Sequence, residues 1–168
     1  NVISTLKQMK LSELVMLTGD NRGTAEKVAQ ETGVTRVYSE LLPSDKVSKI
    51  EKLTQDFGIV AMVGDGINDA PAMARASLSI AMGAAGSDAA IESADIALMS
   101  DDLTRIPWLI SHSRRSIRII KANIAFSLVV KGIFIVLTFV GYSSLWGAIA
   151  ADTGASLLVI FNGLRLLK

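Results

Sequence analysis

The sequence predicts an α/β half-domain on a mostly parallel sheet, followed by an α-helical hairpin that crosses a membrane. Three observations carry this. Short apolar runs alternate with helical periodicity over the first hundred residues. Two twenty-residue stretches near the end, 122–141 and 145–164, hold a single charge each. Finally, the overall net charge of +1 conceals a split: residues 1–100 carry 9 basic and 13 acidic side chains, residues 101–168 carry 8 and 3. The length of 168 residues suits one ordinary domain, but that asymmetry argues against one evenly solvated globule. Half of the residues are hydrophobic, only 5% are aromatic, and the mean hydropathy is +0.43. The absence of cysteine excludes disulfides and thiolate metal sites within these residues. The chain opens on Asn1 with no signal-like segment, so it is expected to be a piece of something longer.

The elements follow in order. Leu14–Leu17 is a compact apolar run ending at Thr18-Gly19-Asp20. A helix is predicted from about Asn21 to Thr32, closed by Gly33, which suits the left-handed position after a helix. Val37-Tyr38 suggests a short strand. Pro43-Ser44-Asp45-Lys46 opens a second helix, with Ser44 or Asp45 as N-cap, apolar Val47, Ile50 and Leu53 at three-residue spacing, and Gly58 at its end. Ile59–Val63 reads as a buried strand running into Gly64-Asp65-Gly66. Leu78–Ala81 and Ile96–Met99 are further strand candidates, with a short helix near Asp88–Ser93 between them. Ligands in such folds bind at the carboxyl ends of the strands, where the loops after Leu17 and Val63 lie.

From Leu103 the character changes. Residues 104–121 look helical and carry Arg105, Arg114, Arg115, Arg118 and Lys121. In 122–141 the single charge is Lys131; in Leu145–Leu164 it is Asp152. Neither stretch has a polar face wide enough for water, which disfavours two buried helices of a soluble bundle. Basic residues flank the outer ends of the pair and none sits in the turn at 142–144, so both ends are expected on the cytoplasmic side. The division expected is a catalytic half-domain over 1–102, a stalk helix over 103–121, and membrane helices over 122–141 and 145–167.

Two loops can carry chemistry. In Val63-Gly64-Asp65-Gly66-Ile67-Asn68-Asp69-Ala70-Pro71, two carboxylates four residues apart follow a strand on a glycine-rich loop. They can hold a hard cation such as Mg²⁺ through oxygen, while the glycines let a phosphate approach the backbone. A dinucleotide-binding loop would want a third glycine where Asp69 stands, and its pyrophosphate would be repelled. Thr18-Gly19-Asp20-Asn21 reads as an N-capped helix start whose Thr hydroxyl can also bond a phosphoryl oxygen. Lys46 lies near a helix N-terminus, where the dipole disfavours a cation, and this points to an anionic partner. His112, the only histidine, is read as interfacial and not as a ligand.

TGDN at 18–21, PSDK at 43–46 and MVGDGINDAPA at 62–72 together resemble the phosphorylation domain of P-type ATPases, a branch of the haloacid dehalogenase superfamily. The resemblance covers about residues 1–100 and implies a Rossmann-like fold of that type. By that resemblance Thr18, with Gly19 and Asp20 beside it, binds the phosphoryl group of an aspartyl-phosphate. Lys46 neutralises its charge, Asp65 binds Mg²⁺, and Asn68 and Asp69 complete that site. The family's nucleophilic aspartate lies in a D-K-T-G-T motif that is absent from these 168 residues, as is its nucleotide-binding domain. Both are expected to precede Asn1, and this stretch alone is expected not to hydrolyse ATP.

Lys131 and Asp152 lie at similar depth on opposite legs of the hairpin, roughly 14–18 Å from the turn at ~1.5 Å per residue. They read either as a salt bridge between helices or as a cation site, with Asp152 the oxygen ligand and Lys131 a built-in counter-charge that promotes release. A lysine in the first membrane helix and Asp152-Thr153-Gly154 in the second resemble the zinc/cadmium/lead class of heavy-metal P-type ATPases. The expected function is ATP-driven export of Zn²⁺ or Cd²⁺, with Mg²⁺ and ATP as cofactors. The expected setting is a bacterial inner membrane, with the lipid bilayer and the rest of the same chain as partners and no nucleic acid. Alternatives are a membrane-anchored phosphatase of the same superfamily and a non-catalytic truncated regulator.

Overall fold

The computed structural model describes residues 2–65, 68–83, 94–100, 102–142 and 144–167, the side chain of Leu145 excepted. The chain divides into two compact units, Asn1–Pro107 and Trp108–Lys168.

The first unit opens on helix α1 (Val2–Gln8), which the sequence reading did not anticipate. Then come β1 (Val15–Leu17), α2 (Arg22–Thr32), β2 (Arg36–Tyr38), α3 (Pro43–Phe57), β3 (Ala61–Gly64), α4 (Ala70–Met73), β4 (Leu78–Ala81) and β5 (Ile96–Ala97). The expected helix near Asp88–Ser93 lies outside the described residues. All strand pairs are parallel: Leu17 faces Tyr38, Gly64 faces Ala81, and Ala81 faces Ala97. Among the described residues the strands form two sheets, β1-β2 and β3-β4-β5, where the sequence led us to expect one. Both contribute to one core. Val15 and Leu17 of β1 pack against a buried cluster of Ile50, Leu53, Met62, Ala72, Met73 and Ala81. The spacing of Val47, Ile50 and Leu53 on α3 thus serves that core, as helical periodicity requires.

Local chemistry sets the ends of the helices. Asn21 caps α2 by accepting the Thr24 N–H at 3.0 Å, and Gly33 ends it in the left-handed region at φ 85°. Helix α3 begins one or two residues earlier than either expected cap, since Leu42 is the N-cap position and Pro43 the first helical residue. Proline is preorganised there and has no N–H to lose. Asp45 then reaches back to accept the Leu42 N–H at 3.0 Å.

The second unit is a helical hairpin. Residues predicted as stalk and first membrane helix form one continuous helix, α5 (Arg105–Phe139), whose first turn belongs to the first unit. It closes on Gly141 at φ 83°, with the Tyr142 N–H donating to the Leu137 carbonyl. Helix α6 (Leu145–Leu164) starts at Ser144, whose hydroxyl accepts the Gly147 N–H, and ends in a 3₁₀ turn over Arg165–Leu167. Half-buried positions on α5 recur at three- and four-residue steps through Ser116, Ile119, Asn123, Ser127, Val130 and Phe134. On α6 the inner face is Ala148, Ala151, Ala155, Val159 and Asn162, mostly small residues that let backbones approach. Both helices are long and apolar enough to cross a membrane.

Candidate phosphoryl site and ion pair of the helical hairpin

Parallel pairing places the carboxyl ends of β1 and β2 at one edge of their sheet, and those of β3, β4 and β5 at one edge of theirs. The loop after β1 is pinned to the segment after β2: the Glu40 N–H donates to the Asp20 carbonyl at 2.9 Å, and the Leu41 N–H to that of Thr18 at 3.1 Å. Within the first loop the Thr18 hydroxyl donates to Asp20 Oδ2 at 2.9 Å and accepts the Asp20 N–H at 3.1 Å. This pair is exposed, as a group that meets a ligand must be.

Lys46, in the first turn of α3, extends to the loop after β3 and donates to Asp69 Oδ1 at 2.6 Å. Both side chains are largely withdrawn from solvent, at 16% and 17% exposure. The lysine near a helix N-terminus therefore has a built-in anion, and the contact ties the ends of the two sheets together. Gly64 allows this, because a Cβ there would stand 2.9 Å from both Cβ and Oδ2 of Asp69. The glycine in the strand end makes room for a carboxylate. Asp65 Oδ1 accepts the Asn68 N–H at 3.2 Å.

Thr18, Lys46, Asp65, Asn68 and Asp69 thus all follow the carboxyl ends of strands. Lys46 and Asp69 are joined directly, although the sequence reading had given one to a phosphate and the other to a metal. Among the described residues no three His, Asp or Glu side chains converge on one point. The donor set nevertheless suits Mg²⁺, which keeps several waters and takes only one or two carboxylates with substrate phosphate. Asp65 offers a carboxylate, and the Lys46 contact uses only Oδ1 of Asp69.

In the hairpin, Lys131 Nζ lies 3.9 Å from Asp152 Oδ1. Both side chains are 64% exposed, so the pair sits on the flank of the helix–helix seam and not within it. His112 stacks on Trp108 with ring centroids 4.9 Å apart. Sequence reasoning, which counted charges, passed over two polar residues of the hairpin. Asn162 Nδ2 donates to Asn123 Oδ1 at 2.7 Å, and Asn123 Nδ2 to the Val159 carbonyl at 3.4 Å. An asparagine in each apolar stretch was the available signal. It also missed a tie in the first unit, where Asp95 Oδ2 accepts both the N–H and the hydroxyl of Ser79 at 2.8 Å. Those two bonds, the backbone one first, hold the Asp95 carboxyl below its ordinary pKa.

Residues 1–77 match the family of haloacid dehalogenase-like hydrolases. Over all 168 residues the chain is 53% identical to a probable cadmium-transporting ATPase of Listeria monocytogenes, covering 24% of it. Against a cadmium, zinc and cobalt-transporting ATPase of Bacillus subtilis, 99% of the chain aligns at 42% identity, again over 24% of that protein. Its structure is similar to the crystal structure of a zinc-transporting PIB-type ATPase in the E2·Pi state, with a TM-score of 0.90 and 46% identity. That match covers 99% of this chain and 27% of the other. The chain therefore spans about a quarter of the relatives it matches, and over nearly its whole length it is similar to P-type ATPases named as cadmium- and zinc-transporting.

Proposed function

We propose that this chain is the phosphoryl-handling and ion-handling segment of an ATP-driven exporter of Zn²⁺ or Cd²⁺. The carrying observation is the Lys131–Asp152 pair on the two legs of an apolar hairpin. An anchor alone has no use for two ionisable groups at bilayer depth, where each is costly. An exporter does: Asp152 offers a hard oxygen to the cation, and Lys131 supplies the charge that returns to Asp152 when the cation leaves. Relatives named as cadmium- and zinc-transporting ATPases support this reading.

In the cytoplasmic half, the Thr18 hydroxyl, held by Asp20, donates to a phosphoryl oxygen. Lys46, steered by Asp69, offsets the phosphoryl charge in a partly water-excluded position. Asp65, Asn68 and Asp69 would hold Mg²⁺, which would supply positive charge to offset that of the phosphate. The phosphorylated aspartate and the ATP-binding residues come from elsewhere in the full-length protein. Residues 1–102 act as the catalytic half-domain, 103–121 as the stalk, and 122–141 and 145–167 as membrane helices. The basic residues Arg114, Arg115, Arg118, Lys121 and Arg165 at the outer ends favour both ends cytoplasmic, and the bacterial relatives named as metal-transporting ATPases support a bacterial inner membrane.

The test is Asp152→Ala in the full-length protein. Metal-stimulated ATPase activity should be abolished while phosphorylation by inorganic phosphate persists. Metal-stimulated turnover that survives the change overturns the assignment.

A further inference from the structure

The two asparagines of the hairpin are not needed to make it apolar, long or basic at its ends. Each stands on the inner face, on the same stripe as Ser127 and Val130 of α5 and Ala155 and Val159 of α6. Asn162 Nδ2 donates to Asn123 Oδ1 at 2.7 Å, and Asn123 Nδ2 donates to the Val159 carbonyl at 3.4 Å. Arg165 Nη1 donates to Asn162 Oδ1 at 3.3 Å, and Arg115 Nη2 to the Arg165 carbonyl at 3.0 Å. A connected set of polar contacts therefore closes one end of the seam.

Elsewhere the inner faces carry Ile119, Ser127, Val130 and Phe134 on α5 and the small Ala148, Ala151 and Ala155 with Val159 on α6. Flat alanine faces accept a neighbour in more than one register, so packing alone specifies register less sharply than a hydrogen bond does. A paired amide is different, because sliding by one turn strands its donors and acceptors among apolar side chains. A single polar residue on a coiled-coil seam fixes register in the same way.

We propose that Asn123 and Asn162 are a register lock, positioning residues that hold Lys131 opposite Asp152. This inference rests on the transport reading above and deepens it. Asn123 lies eight residues from Lys131, and Asn162 ten from Asp152, so lock and ion pair are about 12–15 Å apart along the seam. One turn of slip moves a residue about 5 Å along its helix. That is enough to separate an Nζ and an Oδ1 now 3.9 Å apart. Neither asparagine touches the cation in this scheme. They act through the two residues that do.

The test uses the full-length protein in proteoliposomes, with Zn²⁺ as the probe and the variants N123L, N162L and N123L/N162L. Each single change should raise the Zn²⁺ concentration for half-maximal ATPase about tenfold, the effect of losing one interhelical hydrogen bond of the stronger kind. Turnover at saturating Zn²⁺ and phosphorylation by inorganic phosphate should stay within about twofold. The double variant, with no stranded amide, should be no worse than the worse single. A half-maximal concentration unchanged in the double variant overturns the lock, as does a double effect equal to the product of the singles. Loss of phosphorylation by inorganic phosphate in the double variant also overturns it, since the pair would then serve folding alone. Absence of Zn²⁺ stimulation in the unmutated protein sinks the transport reading itself, a separate result.

Discussion

Lys46 and Asp69, 23 residues apart, meet at 2.6 Å and join the first turn of α3 to the loop after β3. The two groups come from the ends of separate sheets, so this contact aligns the halves of the candidate phosphoryl site. At about one-sixth exposure each, the pair is less screened than a surface ion pair, and removing one partner leaves the other poorly solvated.

Asp69→Ala should therefore damage the site through Lys46. In the full-length protein, phosphorylation by inorganic phosphate is expected to fall about tenfold or more, the usual scale for a misdirected charged group. Phosphorylation measured at increasing Mg²⁺ checks the cause. Full recovery at high Mg²⁺ would assign Asp69 to the metal alone.

Gly64→Ala tests the same contact from below. The added methyl collides with Asp69 Cβ and Oδ2 at 2.9 Å and approaches Met73 Sδ at 3.1 Å. Relief must come from the Asp69 backbone or from β3, at a cost of about 1–3 kcal/mol. Phosphorylation should drop with stability, as read by thermal unfolding. A variant with normal phosphorylation would show that the loop yields without moving Lys46.

Met73→Ala separates packing from chemistry. Met73 is 1% exposed in the core formed by α3, β3 and α4. Truncation should cost about 2–5 kcal/mol, depending on how far the cavity collapses. Denaturant unfolding measures this, and a loss under about 1 kcal/mol would mean that the core repacks around it.

Acid stability should depend on Ser79. Its two bonds to Asp95 favour the carboxylate, so the folded pKa lies below the unfolded one. The stabilisation is complete above the unfolded value and is lost as pH falls through the folded one, that is, below about pH 4. Ser79→Ala should move the acid-unfolding midpoint, followed by circular dichroism, to higher pH. An unchanged midpoint would show that the Ser79 hydroxyl bond contributes no acid stability beyond that of the Ser79 N–H bond, which the change leaves in place.

Much of this architecture was legible because it rests on local rules. Strand β4 has its expected bounds, Leu78–Ala81, a short run that is buried from Ser79 to Ala81, as a covered parallel strand should be. Gly33 and Gly58 end helices α2 and α3 as anticipated. The start of α3 was misjudged because Pro43 shifts the cap to Leu42, a residue with no capping side chain. The boundary between stalk and membrane helix was read from composition alone, and it marks no break in the backbone, since α5 is one helix over Arg105–Phe139. Of the site, the residues and their loops were legible and their partners were not.

The sequence by itself determined the order of the strands and of the longer helices, the acidic and basic halves, the two apolar helices, and the family that the loops after β1 and β3 resemble. These follow from periodicity, charge and short motifs, each confined to a few neighbouring residues. Only the tertiary structure decided that Lys46 pairs with Asp69, that strands divide between two sheets, and that Asn123 meets Asn162 39 residues away. Such contacts depend on how whole elements pack and in what register, and no local pattern encodes that.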